Sequence, residues 1–327
     1  MKSWASVSRA LAASIVATRV AAATASKMGV VDSPGPLKPQ AAPVPYLGGL
    51  GVLAGVAAGT GATAPVVLVP IGMATALGTA DDCFDLSPGL RAAGQLVIGA
   101  VCAATSPPSR LPKPLGAVLL TGATFVLING MNLIDGLDGL AGGVAMASAG
   151  AFAGLLRGKP RVLAAALAGA CGGFLVYNRP PAKVYLGDGG SYLIGASLAT
   201  LLGSAWSAPS SGQAGPAALL AVAVPAAEVA LAVVRRYRAG LSLTEGDRGH
   251  PYDRLVEKGW SSRAAAAAYV AAAAGLGSAA LFVSRSRSAR LPVIAVGVTG
   301  AIVLVASAFT GSCDPNRTSG HQPDART

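Results

Sequence analysis

Long uncharged stretches recur from one end of the chain to the other, and nearly all the acidic residues sit in the short connections between them. Only 12% of the 327 residues are charged, half of the roughly 25% usual in a soluble domain. Such a pattern leaves little choice of architecture. Backbone polar groups inside a bilayer must be satisfied within the segment, so repeated apolar runs of this kind fold as helices. The expectation is an all-α, polytopic membrane helix bundle. Spans are predicted near residues 4–22, 47–60, 64–78, 90–104, 114–128, 140–156, 162–177, 192–206, 216–234, 263–282 and 291–310. That makes ten or eleven, because Arg19 interrupts the first. The runs are rich in Ala and Gly, which suits close helix packing, but Ala is weakly hydrophobic and blurs the span ends. Residues 1–310 read as one polytopic domain and 311–327 as a polar tail expected to be disordered. No long repeat, soluble domain or cleavable signal is evident.

Alternating spans sort the connections onto two faces. Segments 23–46, 79–89, 129–139, 178–191 and 235–262 share one face with the tail. Every acidic residue except Glu228 falls there. The same face carries the larger share of Lys and Arg, which favours a cytoplasmic orientation for it. A net charge of +11 reads here as topology and anionic-lipid contact rather than nucleic-acid binding. The four cysteines (Cys83, Cys102, Cys171, Cys313) show no paired spacing and indicate neither a disulfide framework nor a zinc site.

The stretch Asn129-Gly-Met-Asn132-Leu-Ile-Asp135-Gly-Leu-Asp138-Gly lies between two uncharged runs. Polar groups so placed are costly unless they line a wet cavity or a site. On a helix Asn129, Asn132 and Asp135 would share a face that Asp138 extends. A solvated turn is the plainer alternative. Asp81-Asp82-Cys-Phe-Asp85 puts three carboxylates in five residues, which repel unless a cation neutralises them. Asp81 and Asp85 would face the same way on a helix. Oxygen-only donors suit Mg²⁺ or Mn²⁺, whereas an acidic helix end in water needs neither. In Tyr185-Leu-Gly-Asp188-Gly-Gly-Ser, bare backbone N–H groups near a helix start suit phosphate, Asp188 suits a metal, and Tyr185 offers a ring for a base; a glycine turn is the alternative. The loop 241–260 carries His250 and Arg254, which fit a pyrophosphate, or pair locally. Lys38, in a proline-stiffened segment, suits a phosphate or the lipid surface. Glu228, inside a span, must be protonated, paired across helices or near a site.

Together the Asp-Asp-x-x-Asp, Asn-x-x-Asn-x-x-Asp-Gly-x-Asp-Gly and Gly-Asp-x-Gly-Ser motifs resemble those of the polyprenyl-phosphate N-acetylhexosamine-1-phosphate transferases, glycosyl transferase family 4. The likeness runs from about Asp32 to Trp260, in the family's order. It implies a reaction in which polyprenyl phosphate, of the undecaprenyl or decaprenyl type, attacks the β-phosphate of a UDP-N-acetylamino sugar and UMP leaves. It implies Mg²⁺ (or Mn²⁺) as cofactor, with Asp188 and Asp82 as metal-binding residues. Asp81, Asp82 and His250 match catalytic positions. Asn132, Asp135, Asp138, Asn178 and Tyr185 match nucleotide-binding ones, and Lys38, His250 and Arg254 match phosphate-binding ones. A multi-pass plasma-membrane location with a cytoplasmic active site follows, with cell-envelope glycan synthesis as the setting, and a homodimer is compatible with it. Many members carry two or three histidines where this chain has His250-Pro-Tyr-Asp-Arg254, and Arg-Lys-x-His where it has Leu37-Lys38-Pro-Gln40. That argues against the peptidoglycan translocase and leaves the sugar open. A transporter or flippase with an acidic vestibule is the alternative class. A CDP-alcohol phosphotransferase is disfavoured, since Gly142 stands where that family needs Arg.

Overall fold

The computed structural model describes residues 3–33, 42–63, 65–208, 213–242 and 249–286. Among them are twelve α-helices and one pair of two-residue strands. The helices are α1 (Ser3–Met28), α2 (Gly48–Thr60), α3 (Leu68–Phe84), α4 (Pro88–Thr105), α5 (Lys113–Leu133), α6 (Leu140–Leu155), α7 (Gly158–Asn178), α8 (Gly187–Ala205), α9 (Ala214–Ala221), α10 (Ala223–Ala239), α11 (Pro251–Glu257) and α12 (Ser262–Arg285). Strand β1 (Val31–Asp32) pairs antiparallel with β2 (Val44–Pro45). The protein is an all-α, multi-pass membrane protein.

Ten expected spans correspond to helices, and the eleventh, 291–310, lies outside the described residues, as does the tail. The ninth is broken: α9 and α10 meet at Val222 with a bend of 63°. Among the described residues four helices are long and apolar enough to cross a bilayer by themselves, or five if that bent pair counts as one span. Helices α2 and α6 are apolar but too short by that measure.

Small residues set the packing. Along α1, Ser6, Ala10, Ser14, Thr18, Ala21 and Ala25 are buried at three- or four-residue intervals, and α1 lies against α2 and α7. The backbones come close enough for the Ser14 hydroxyl to donate to the Ala170 carbonyl at 2.8 Å, the close approach that small interfacial residues permit. Helix α8 is the central element. It packs on α3, α5, α2 and α4, and nearly all of its residues are buried. At Gly78 of α3 a Cβ would collide with the backbone of Asp188 and Gly189, so only glycine lets α3 reach the start of α8.

The helices run longer at the acidic end than the sequence suggested. Asp81 and Asp82 lie in the last turn of α3, Asn129 and Asn132 within α5, and Asp188 in the first turn of α8. Two expectations are corrected. Asn129 does not share a face with Asp135: its amide donates to Gln95 Oε1 at 2.6 Å on α4. Asp85 does not align with Asp81, because it leaves the helix with φ 49° and is exposed.

Candidate active site

The C-terminal ends of α3, α5, α7 and α10 and the N-terminal ends of α2, α4, α6, α8 and α12 meet at one end of the bundle. The polar motifs converge there. A cavity of about 910 Å³ is lined by Asn132, Asp135, Asp138, Asn178, Tyr185 and His250, together with Asp32, Tyr46, Tyr252 and Arg263.

Beside this cavity the carboxylates form a chain. Asp82, from α3, accepts the backbone N–H of Asp188 at 2.9 Å on Oδ1 and that of Gly189 at 3.1 Å on Oδ2. It thereby caps a helix to which it does not belong, a favourable place for a carboxylate. Gly187 adopts φ 73° directly against the Asp82 carboxylate, and a side chain there would displace it. Asp188 accepts from Asn132 Nδ2 at 2.5 Å and lies near Asp81. Carboxylates this close repel unless a proton or a cation neutralises them.

Asp81 has partners of its own. Arg91 Nη1 lies 3.2 Å from Oδ2, Tyr192 Oη donates to the same oxygen at 3.0 Å, and the Leu86 N–H donates to Oδ1 at 3.0 Å. Asn178 is likewise committed. Its Oδ1 accepts from the Gly139 N–H and its Nδ2 donates to the Val184 carbonyl, both at 2.9 Å. Asp138 Oδ2 accepts from the Ala182 N–H at 2.8 Å. These two side chains stitch the 134–139 turn to the 179–186 connection, so they shape the cavity wall.

Tyr185 stands in that wall with its backbone zipped to the segment before α2. Its N–H donates to the Pro45 carbonyl at 2.9 Å and its carbonyl accepts from the Gly48 N–H at 3.0 Å. The Tyr46 ring is 6.0 Å away. Burial, with Asp138, Asp32 and Asp135 nearby, pushes the Tyr185 phenol up to about 12, so the ring is uncharged at physiological pH.

His250 begins α11 and is 5% exposed. Its Nδ1 lies 2.8 Å from Glu228 Oε1, so the one acid within a span is paired across helices. Arg254, also on α11, does not line the cavity. Lys38 lies outside the described residues.

Tyr46, Tyr252 and Arg263 were not singled out in the sequence. Tyr46 follows a proline-stiffened segment, and Arg263 opens the expected span 263–282. Arg263 reaches from the first turn of α12 to the Pro180 carbonyl at 3.0 Å, setting a guanidinium at the cavity mouth.

Among the described residues no three His, Cys, Asp or Glu side chains are grouped so as to hold a metal ion. Asp82, Asp188 and Asp81 supply oxygen donors alone, the donor type that Mg²⁺ takes one or two at a time beside water and substrate phosphates.

Asp135 carries a measurable consequence of the crowding. Burial, then the carboxylates of Asp188, Asp82 and Asp138, hold its carboxyl well above the usual carboxylate range. The unfolded chain releases that proton near pH 4; the folded protein keeps it to higher pH. Stability from this group is therefore greatest below about pH 4 and declines as pH rises toward the folded-state value. In detergent without divalent cation, the Tm advantage of Asp135→Asn over the parent is expected to grow between pH 4 and pH 8. A pH-independent difference in thermal scans would contradict this.

A polytopic membrane protein with an acidic cleft at one end of its helix bundle is thus defined. The chain belongs to glycosyl transferase family 4, which matches it at residues 64–204. It is 35% identical over 300 residues to the decaprenyl-phosphate N-acetylglucosaminephosphotransferase of Mycolicibacterium smegmatis, covering 74% of this chain and 72% of that one. It is 33% identical to the protein of that name in Mycobacterium leprae, covering 76% and 75%. It is also 30% identical to the undecaprenyl-phosphate alpha-N-acetylglucosaminyl 1-phosphate transferase of Yersinia pestis, covering 90% and 86%.

Proposed function

We propose that the protein transfers an N-acetylamino-sugar 1-phosphate from a UDP-sugar to undecaprenyl or decaprenyl phosphate. UMP is released, and a polyprenyl-diphosphate-linked sugar remains in the membrane for cell-envelope glycan synthesis. A phosphate oxygen of the lipid forms the new bond to the donor's β-phosphorus as the bridging P–O bond to UMP breaks. N-acetylglucosamine is the first sugar to test, since the relatives' names carry it. The observation that carries the reading is the chain Asp82–Asp188–Asn132 running into a cavity that also holds Tyr185 and His250.

In this reading Asp188 and Asp82 hold Mg²⁺, which neutralises the donor's pyrophosphate when bound. Asp82 orients Asp188 by fixing the start of α8. Asn132 holds the Asp188 carboxylate in place. Arg263 gives the diphosphate a positive partner and His250 a hydrogen-bonding one, and Lys38 and Arg254 are assigned to the same phosphates by the family likeness. Asp135 and Asp138 flank the nucleotide, and Tyr185 stacks on the uracil. The lipid phosphate, with a second pKa near 6, is largely dianionic at neutral pH, so no strong base is required of Asp81. The acidic face is cytoplasmic and the membrane is the plasma membrane.

The deciding experiment combines purified protein, polyprenyl phosphate and a panel of UDP-amino sugars, and assays UMP with and without EDTA. UMP formed only when lipid and one sugar nucleotide are both present, and abolished by EDTA, is expected. Uptake of a UDP-sugar into sealed vesicles without UMP would instead mean transport. With the right donor in hand, Tyr185→Phe is expected to keep a near-parental KM. Tyr185→Ala should raise the KM for the UDP-sugar about tenfold or more, the cost of one lost base–aromatic stack. An unchanged KM in the alanine variant would remove Tyr185 from the nucleotide pocket.

A further inference from the structure

We infer that Glu228 is a positioning residue for His250, holding the imidazole ring in place at the wall of the cleft. As a statement about turnover, this rests on the transferase reading above.

The geometry is specific. Glu228 is 2% exposed and sits on α10, six residues beyond the bend at Val222. Both of its oxygens are engaged: Oε1 with His250 Nδ1 at 2.8 Å, and Oε2 by the Tyr269 hydroxyl of α12, which donates at 3.1 Å. A carboxylate held from two sides is a fixed partner for the ring of a residue that lines the cavity. The ring plane is set separately. Tyr252 stacks parallel to the imidazole with centroids 5.2 Å apart. Its hydroxyl donates to the Leu133 carbonyl at 2.9 Å, one residue from Asn132. Below it, Gly136 leaves room for that hydroxyl where a Cβ would collide.

Four elements therefore lock one imidazole: α10 through Glu228, α11 through Tyr252, α12 through Tyr269, and the end of α5 through Leu133. Other charged groups face the cluster. Asp253 accepts the His250 backbone N–H at 3.3 Å, and Asp135 and Arg235 act on Tyr252 from the α5–α6 turn and from α10. Asp253 and Asp135 stay in place when Glu228 is changed, so the Glu228 charge can be isolated.

Glu228→Gln retains shape and a hydrogen-bonding side chain but loses the carboxylate. His250 and His321 are the protein's two histidines, so ¹⁵N-histidine labelling yields two sets of ring signals, and His250→Gln assigns them. In Glu228→Gln the His250 ring shifts should move while those of His321 stay in place. In UMP release, Glu228→Gln should lower kcat about tenfold or more, KM for the donor should change less than threefold, and Glu228→Asp should recover part of the loss. Adding Glu228→Gln to His250→Gln should cost nothing further. His250 ring shifts that stay put in Glu228→Gln overturn the proposal, and so do additive losses in the double variant. The ring shifts need no turnover, so a protein inactive in every UMP assay would sink the transferase reading while this measurement still judged the pair.

Discussion

Asp188→Asn should abolish turnover without weakening the protein. UMP release is expected to drop about 10³-fold, the scale seen when one preorganised electrostatic contact at a reacting phosphate or oxyanion is deleted. Thermal stability should hold or rise. The asparagine keeps an oxygen where Asp188 Oδ1 accepts from Asn132, and the Ser191 hydroxyl bonds the Asp188 backbone carbonyl at 3.2 Å, independent of the side chain. What disappears is one negative charge from a place where Asp81 and Asp82 already crowd it. A variant with turnover within tenfold of the parent would end the assignment of Asp188 to the reacting centre. A lowered Tm would mean that the carboxylate serves the fold instead.

Asp82→Asn should fail differently, losing both activity and stability. Two backbone N–H groups converge on the Asp82 carboxylate. An asparagine offers them one acceptor oxygen and one NH₂, so either the Asp188 or the Gly189 N–H meets a donor. An unsatisfied buried donor costs about 1–3 kcal/mol, and the lost charge at a helix N-terminus adds about 0.3–1 kcal/mol. The start of α8 then shifts, and Asp188 with it. A misplacement of about 1 Å can cost 10²-fold in rate. Thermal melts and UMP assays on the two variants together separate the roles. If Asp82→Asn is as stable as the parent, the capping role is wrong. If it is destabilised yet fully active, Asp82 is purely structural.

The architecture and the gathering of the acidic motifs were legible because both follow from patterns that survive without packing detail. Uncharged runs dictate helices, and alternation places every odd connection on one face. The division of labour among the polar residues was not legible. Asp81 and Asp82 are neighbours of identical chemistry. One points to Arg91 and Tyr192, the other to the start of α8, and only the rotation of α3 against its partners separates them. Asn129 fits the spacing of a cleft-facing amide but lies against Gln95, a partner set by the approach of α4. Nothing in the neighbourhood of Asn178 announces that both ends of its amide meet backbone brought in by other segments. Glu228 needs a partner inside a span, and the fold supplies His250. The bend at Val222 is silent in the sequence because an apolar run carries no mark of where its axis turns.

Helix α8, enclosed on nearly all sides by the other helices, has a mechanical consequence. The outer helices meet the hydrocarbon and feel any change in bilayer thickness or lateral pressure. The strut bearing the Asp188 carboxylate is shielded from that solvent by its own protein. Its height is set by neighbours such as the Gly78 contact rather than by the lipid. The chemistry is therefore mounted on a frame that can follow a variable membrane at its rim while its centre keeps still.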